Sequence, residues 1–175
     1  MVIMAKILYI IAPKNFRDEE YLHPKQVLES AGHKVVTASV SSSMCYGMLG
    51  TEVKPDILIK NARESVYDAL IIAGGSGSTT LWDNPALLSL VKSFHNSNKI
   101  VSAICLGTSV LARATIMAGR KMTGWPPDAK DEALKAKAIY TGENVTIDGN
   151  IITAIGPKAV EEFASIIIAK LGGNK

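Results

Sequence analysis

Three short, nearly continuous apolar runs constrain this chain more than any other feature: Lys6–Ala12, Tyr67–Ala73 and Lys99–Ile104, which stop abruptly at Pro13, Gly74 and Cys105. A strand with one face in water alternates apolar and polar residues, whereas uninterrupted runs of this length suit parallel strands covered on both faces. Helical patterns fill the intervals. Asp18 can cap a helix through about Ser30, with Tyr21, Leu22, Val27 and Leu28 as its apolar face, and Ala31-Gly32 ends it before a strand at His33–Ala38. Asp83 with Pro85 opens a second helix through about His95, a third follows Cys105, and another starts at Pro126-Pro127-Asp128 after a turn at Gly119-Arg120-Lys121. The last begins at Gly156-Pro157, packs through Val160, Phe163, Ile166 and Ile167, and stops at Gly172-Gly173. Ser41–Ile59 is weaker and reads as a small β-hairpin excursion; Asn144–Thr153 reads as a hairpin turning at Asp148-Gly149. The pattern predicts one α/β domain over residues 1–175, a flavodoxin-like, open and mostly parallel sheet with helices on both faces.

Composition narrows the function classes. A chain with 47% hydrophobic and 20% charged residues is globular, and its net charge of +3 is spread without a Lys/Arg block. With 6% aromatic residues and no basic stripe, nucleic acid is not an expected partner. No apolar run approaches the roughly 18 to 20 residues of a membrane span, and Met1–Lys6 leads into a strand without the pattern of a signal peptide. Cys45 and Cys105 have no metal-ligand spacing and suit a reducing cytoplasm. No metal or other cofactor is expected.

In an open α/β sheet the ligand crevice lies at the carboxyl ends of the strands, where the strand order reverses. The loops after Ala12, Ala73 and Ile104 should therefore meet. Cys105 stands where a buried strand gives way directly to a helix, the layout of a nucleophile elbow, with Gly107 allowing the tight turn. Helix N–H groups aimed at the sulfur would lower its pKa and favour thiolate. Gly74-Gly75-Ser76-Gly77 lacks the Lys-Ser/Thr ending of a phosphate loop; its glycines can instead bring a backbone N–H to the sulfur and form an oxyanion hole with the N–H of Leu106. Asp18, Glu19 and Glu20 begin the first helix, where a carboxyl can reach the sulfur or simply compensate the helix dipole. Among the histidines, His33 and His95 fall far from the strand carboxyl ends, and His23 alone has a path to the pocket, three residues from Glu20. Cys45 is expected at an edge or interface.

Ala103-Ile104-Cys105-Leu106-Gly107, the Ala73-Gly74-Gly75 loop and Asp18-Glu19-Glu20-Tyr21-Leu22-His23-Pro24 together resemble the ThiJ/PfpI superfamily of cysteine proteins, over essentially the whole chain. The resemblance implies Cys105 as nucleophile, Glu20 as the acid four positions before the helix proline, and Gly75 and Leu106 as backbone oxyanion donors. Gly74, Ser76 and His23 would be further pocket residues. It also implies a homodimer or larger homo-oligomer, and an activity among glyoxalases, protein deglycases, peptidases, chaperones and oxidation sensors. Peptidase-like members carry histidine directly after the cysteine and a glutamate near the glycine loop. Here those places hold Leu106 and Ser76-Gly77-Ser78-Thr79-Thr80. The expected function is therefore cofactor-free chemistry on a small aldehyde or a glycated protein, using a Cys thiolate and a Glu acid/base. An oxidation-sensing or chaperone role for the same cysteine is the alternative, and a peptidase with a relocated base is disfavoured. A glutamine amidotransferase relative would need a His and Glu two residues apart near the chain end, and Glu161-Glu162 has no such histidine.

Overall fold

The computed structural model describes residues 3–173; Met1 and Val2, the first residues of the segment leading into the first strand, lie outside the described residues. Numbering only the strands of the main sheet, the chain runs β1 (Lys6–Ile10), α1 (Asp18–Ser30), β2 (Lys34–Ser39), β3 (Ile57–Leu58), β4 (Ala69–Ile72), α2 (Pro85–Asn96), β5 (Ile100–Ile104), α3 (Thr108–Arg113), α4 (Asp128–Lys135), β6 (Val145–Asp148), β7 (Ile151–Ala154) and α5 (Val160–Gly173). The sheet order is β6-β7-β5-β4-β1-β2-β3, with every pairing parallel except β6 against β7. This is the mostly parallel α/β architecture read from the apolar runs.

Side chains within each run alternate between two cores, which is why the runs are continuous. Leu8, Ile10, Leu70, Ile72, Val101 and Ala103 face Leu87, Val91, Phe94 and Leu111 of α2 and α3. Ile7, Tyr9, Ala69, Ile71, Ile100 and Ile104 face Tyr21, Leu28, Phe163 and Ile167 of α1 and α5. Strand order reverses beside β1, which pairs with β2 on one side and β4 on the other. Register aligns Ile10 with Ile72 and Ile72 with Ala103, so the three following loops emerge side by side.

Several local expectations change. Asp18 does not cap α1: Arg17 is the N-cap residue, and the Asp18 carboxylate instead accepts from the N–H groups of Leu49 and Thr51 at 2.8 and 3.0 Å. Leu22 is 44% exposed, and the buried face of α1 carries Glu20, Tyr21, Pro24 and Leu28. At α2 the cap is Asn84, whose side chain accepts from Leu87 N–H at 3.0 Å, while Asp83 pairs with Arg113 at 2.7 Å. Replacing Asn84 by Ala orphans that N–H and is expected to lower stability by about 1 kcal/mol, measured by urea unfolding. α5 includes Gly172 and ends at Gly173, the last described residue.

The excursion forms its hairpin between Cys45–Gly47 and Glu52–Val53, joined by Lys14–Phe16 into a small three-stranded sheet. Cys45 is fully buried in the core on the α1 side and not at a sheet edge, because its strand is the middle one of the three. A two-stranded pairing of Lys121–Met122 with Ile139–Tyr140 has no apolar pattern long enough to foretell it.

Candidate active site

After β5 the backbone enters the left-handed region at Cys105, with φ of 61°, then makes a 3-10 turn over Cys105–Gly107 into α3. A non-glycine residue costs about 1 to 3 kcal/mol in such a conformation, so neighbouring contacts must hold it. Thr108 Oγ1 donates to the Cys105 carbonyl at 2.9 Å, and Trp82 Nε1 donates to the Leu106 carbonyl at 2.9 Å. Gly107 lies so close to β4 that a Cβ there would stand 2.7 Å from the Ala73 carbonyl oxygen. The turn leaves the Cys105 side chain 6% exposed, at the base of a pocket of about 200 Å³.

Glu20 comes to the same point from α1 and is completely buried. Its Oε1 accepts from the Gly74 N–H at 3.1 Å, and Tyr9 Oη donates to its backbone carbonyl. Oε2 is buried without a well-formed hydrogen bond. The carboxyl and the Cys105 thiol are nevertheless close enough to shift each other's proton affinity. Burial pushes the Glu20 carboxyl up to about 8, against the opposing effects of the thiol, the Gly74 N–H and the Arg17 charge. Burial, and then the Glu20 charge, push the Cys105 thiol up to about 12, although the N–H groups of Gly75 and Leu106 pull it down.

This reverses the expected lowering of the thiol. α3 has only six residues and begins beyond the 3-10 turn, so two backbone donors oppose burial without outweighing it. The two groups titrate as a pair. Near neutral pH the thiol and the carboxyl both hold their protons, and loss of the first leaves one proton to be shared between sulfur and carboxyl.

The pocket is lined by Arg17, Met48, Gly75, Ser76, Cys105, Leu106, Trp125 and Pro157. Gly75, Ser76 and Leu106 therefore surround the thiol as expected, and Gly74 lies behind it. His23 does not join them. It lines a separate groove with Glu19, Gln26 and Lys158, because three helical residues span 300° and turn it about 60° from the direction of Glu20. His33 Nδ1 accepts from the Ala5 N–H at 3.0 Å, and His95 is half-buried in the last turn of α2. Among the described residues, no group of three or more His, Cys, Asp and Glu side chains could hold a metal ion.

Arg17, Met48, Trp125 and Pro157 were not foreseen in the site. They come from four separated segments, and only the tertiary fold gathers them. The preserved pieces are an elbow cysteine, a buried glutamate and a glycine loop that touches both, in one α/β domain. The sequence of residues 5–170 matches the model of the DJ-1/PfpI family. The chain belongs to this family. One DJ-1/PfpI relative, named a deglycase, from Pyrococcus horikoshii, is 30% identical over 152 residues, covering 87% of this chain and 90% of its own. Another, named a glutathione-independent glyoxalase, from Caenorhabditis elegans, is 29% identical over 173 residues, covering 99% and 92%. The solved ThiJ/PfpI domain protein of Brachyspira murdochii superposes with a TM-score of 0.94 at 32% identity, covering 98% of this chain and 99% of that one.

Proposed function

We propose that this DJ-1/PfpI protein converts 2-oxoaldehydes such as methylglyoxal to 2-hydroxycarboxylates without a cofactor, with Cys105 as nucleophile and Glu20 as acid and base. The observation that carries the reading is the buried Glu20 carboxyl beside the Cys105 thiol with no histidine near either. The names of the deglycase and glyoxalase relatives agree with it.

Chemically, the pair first loses one proton, which leaves the Glu20 carboxylate beside the thiol, and Glu20 takes the thiol proton as the sulfur attacks. The sulfur adds to the aldehyde carbon, and the carbonyl π pair moves to oxygen, where the Gly75 and Leu106 N–H groups can receive the charge. Glu20 gives its proton to that oxygen, forming a hemithioacetal. As carboxylate it then removes the hydrogen on the former aldehyde carbon, whose electron pair forms a C=C bond as the ketone π pair moves to oxygen; the enediolate takes that proton back from Glu20 at the neighbouring carbon while the first hydroxyl proton passes to the former ketone oxygen. The product is a thioester of a 2-hydroxy acid. Water cleaves it, restoring the thiol and releasing the hydroxycarboxylate, so the aldehyde carbon is oxidised, the ketone carbon is reduced, and no external oxidant is needed. Adducts of 2-oxoaldehydes on proteins are further substrates of the same chemistry. Peptide cleavage is disfavoured, since a poor amine leaving group needs a proton donor that Leu106 cannot be.

Fresh, reduced protein is expected to form lactate from methylglyoxal without glutathione. Cys105→Ser should abolish turnover, and Glu20→Gln should lower kcat by about 10² to 10⁴-fold. Absence of turnover by the reduced wild-type protein overturns the reading. Exposed Tyr46, Met48 and Leu49 on the hairpin support the proposed homo-oligomer, and the two free thiols support a reducing cytoplasm.

A further inference from the structure

Among the described residues, Arg17 is the one charged residue lining the Cys105 pocket; Glu20 is buried behind the thiol, and Glu19 lines the neighbouring groove. The remaining wall is largely apolar, from Met48, Leu106, Trp125 and Pro157. Arg17 is also held from outside the pocket: its Nε donates to Glu19 Oε2 at 2.7 Å and its Nη2 to Glu19 Oε1 at 3.1 Å. That fork engages two nitrogens and leaves the Nη1 donors free of Glu19. Its backbone is fixed as well, because the Arg17 N–H donates to the Gly74 carbonyl at 3.0 Å. A guanidinium with a fixed plane and spare donors matches a carboxylate better than a neutral or cationic group.

We propose that Arg17 makes this pocket selective for 2-oxoaldehydes that carry a carboxylate group, a refinement that rests on the carbonyl reading above. With the aldehyde carbon at Cys105, a carboxylate two or three carbons away would lie against Arg17, and the apolar wall would cover the chain between. Glu19 neutralises the net charge of Arg17, so selection acts through directed hydrogen bonds. The same arrangement discriminates against adducts whose cationic amine would have to enter beside the guanidinium.

The test compares 5-bromo-4-oxopentanoate with its methyl ester, an anionic and a neutral alkylating reagent whose carboxyl group stands as far from the attacked carbon as in 4,5-dioxopentanoate, on Cys105 of the reduced protein. Rates are followed by mass spectrometry and normalised to the same pair reacting with a small thiol; buried Cys45 reports any unfolding. The expected anion preference is about five- to tenfold, falling at high salt, reduced in Arg17→Lys and lost in Arg17→Gln. A wild-type ratio near one, or an unchanged ratio in Arg17→Gln, overturns the proposal. Turnover of 4,5-dioxopentanoate against its methyl ester gives the parallel measurement, with kcat/KM expected to favour the acid by a similar factor. Failure of the carbonyl reading shows instead as no turnover of methylglyoxal, a result that leaves the alkylation ratio able to decide on Arg17.

Discussion

Glu20→Gln is expected to make the protein more stable at pH 7 to 8 while removing its activity. The Glu20 carboxyl is buried and its pKa is raised from 4.5 to about 8. Below pH 4.5 both folded and unfolded chains hold its proton, so it contributes nothing to the pH dependence there. Between 4.5 and 8 the unfolded chain ionises while the folded one does not, and stability falls as pH rises, levelling off above the folded pKa. At pH 7 the loss amounts to about 3 kcal/mol, taking 1.36 kcal/mol for each pH step from 4.5. Glutamine keeps the acceptor for the Gly74 N–H and cannot ionise. Thermal unfolding of the two proteins should therefore coincide near pH 4 and separate by roughly 8–16 °C at pH 7.5, where the loss reaches about 4 kcal/mol. Equal melting temperatures at both pH values would show that Glu20 ionises freely in the folded protein.

Gly74→Ala should disable the site from behind. A Cβ on Gly74 would stand 2.6 Å from the Cys105 Cβ, 2.6 Å from Glu20 Oε1 and 2.7 Å from the Ile104 carbonyl oxygen. Gly74 is not among the glycines with positive φ, so alanine meets no special backbone penalty and the effect is steric. Overpacking of this kind costs about 1–3 kcal/mol. Displacing the thiol from the carboxyl by even 1 Å is expected to lower turnover by about 10²-fold. Gly119→Ala is the contrasting variant: its φ is +76°, nothing lies within 4 Å of the added carbon, and the strain lies far from the pocket's lining residues. Stability should fall in both variants, and lactate formation should collapse only in Gly74→Ala. Retained turnover in Gly74→Ala would mean the thiol and carboxyl need not be held at this separation.

What the sequence made legible follows from where the physics is local. Continuous apolar runs announced β1, β4 and β5, and their endings announced the three loops of the crevice. Cys105 was legible as the first residue after such a run. The three acids of α1 were not separable by residue type, because their differences arise only when the helix is docked. Asp18 then ties down the hairpin through Leu49 and Thr51, Glu19 holds Arg17, and Glu20 is buried. The likeness to a family singled out Glu20; spacing alone could not. His23 seemed near the site by its distance along the helix, and its angle around the helix excluded it. The sulfur's proton affinity was misjudged because dipole arguments are visible in sequence and desolvation is not.

The left-handed backbone at Cys105 bears on the history open to such a fold. The elbow cysteine occupies a conformation that glycine or asparagine enters more easily, and its partner Glu20 is an acid that the interior would rather hold neutral. Both chemical assets are thus held against the preference of the scaffold. A copy released from the demand for turnover gains robustness by surrendering the acid, and its elbow has an easier backbone choice than cysteine. Under the proposed chemistry, loss of the activity in this architecture would run downhill in stability, and only a demand for turnover would hold the pair in place.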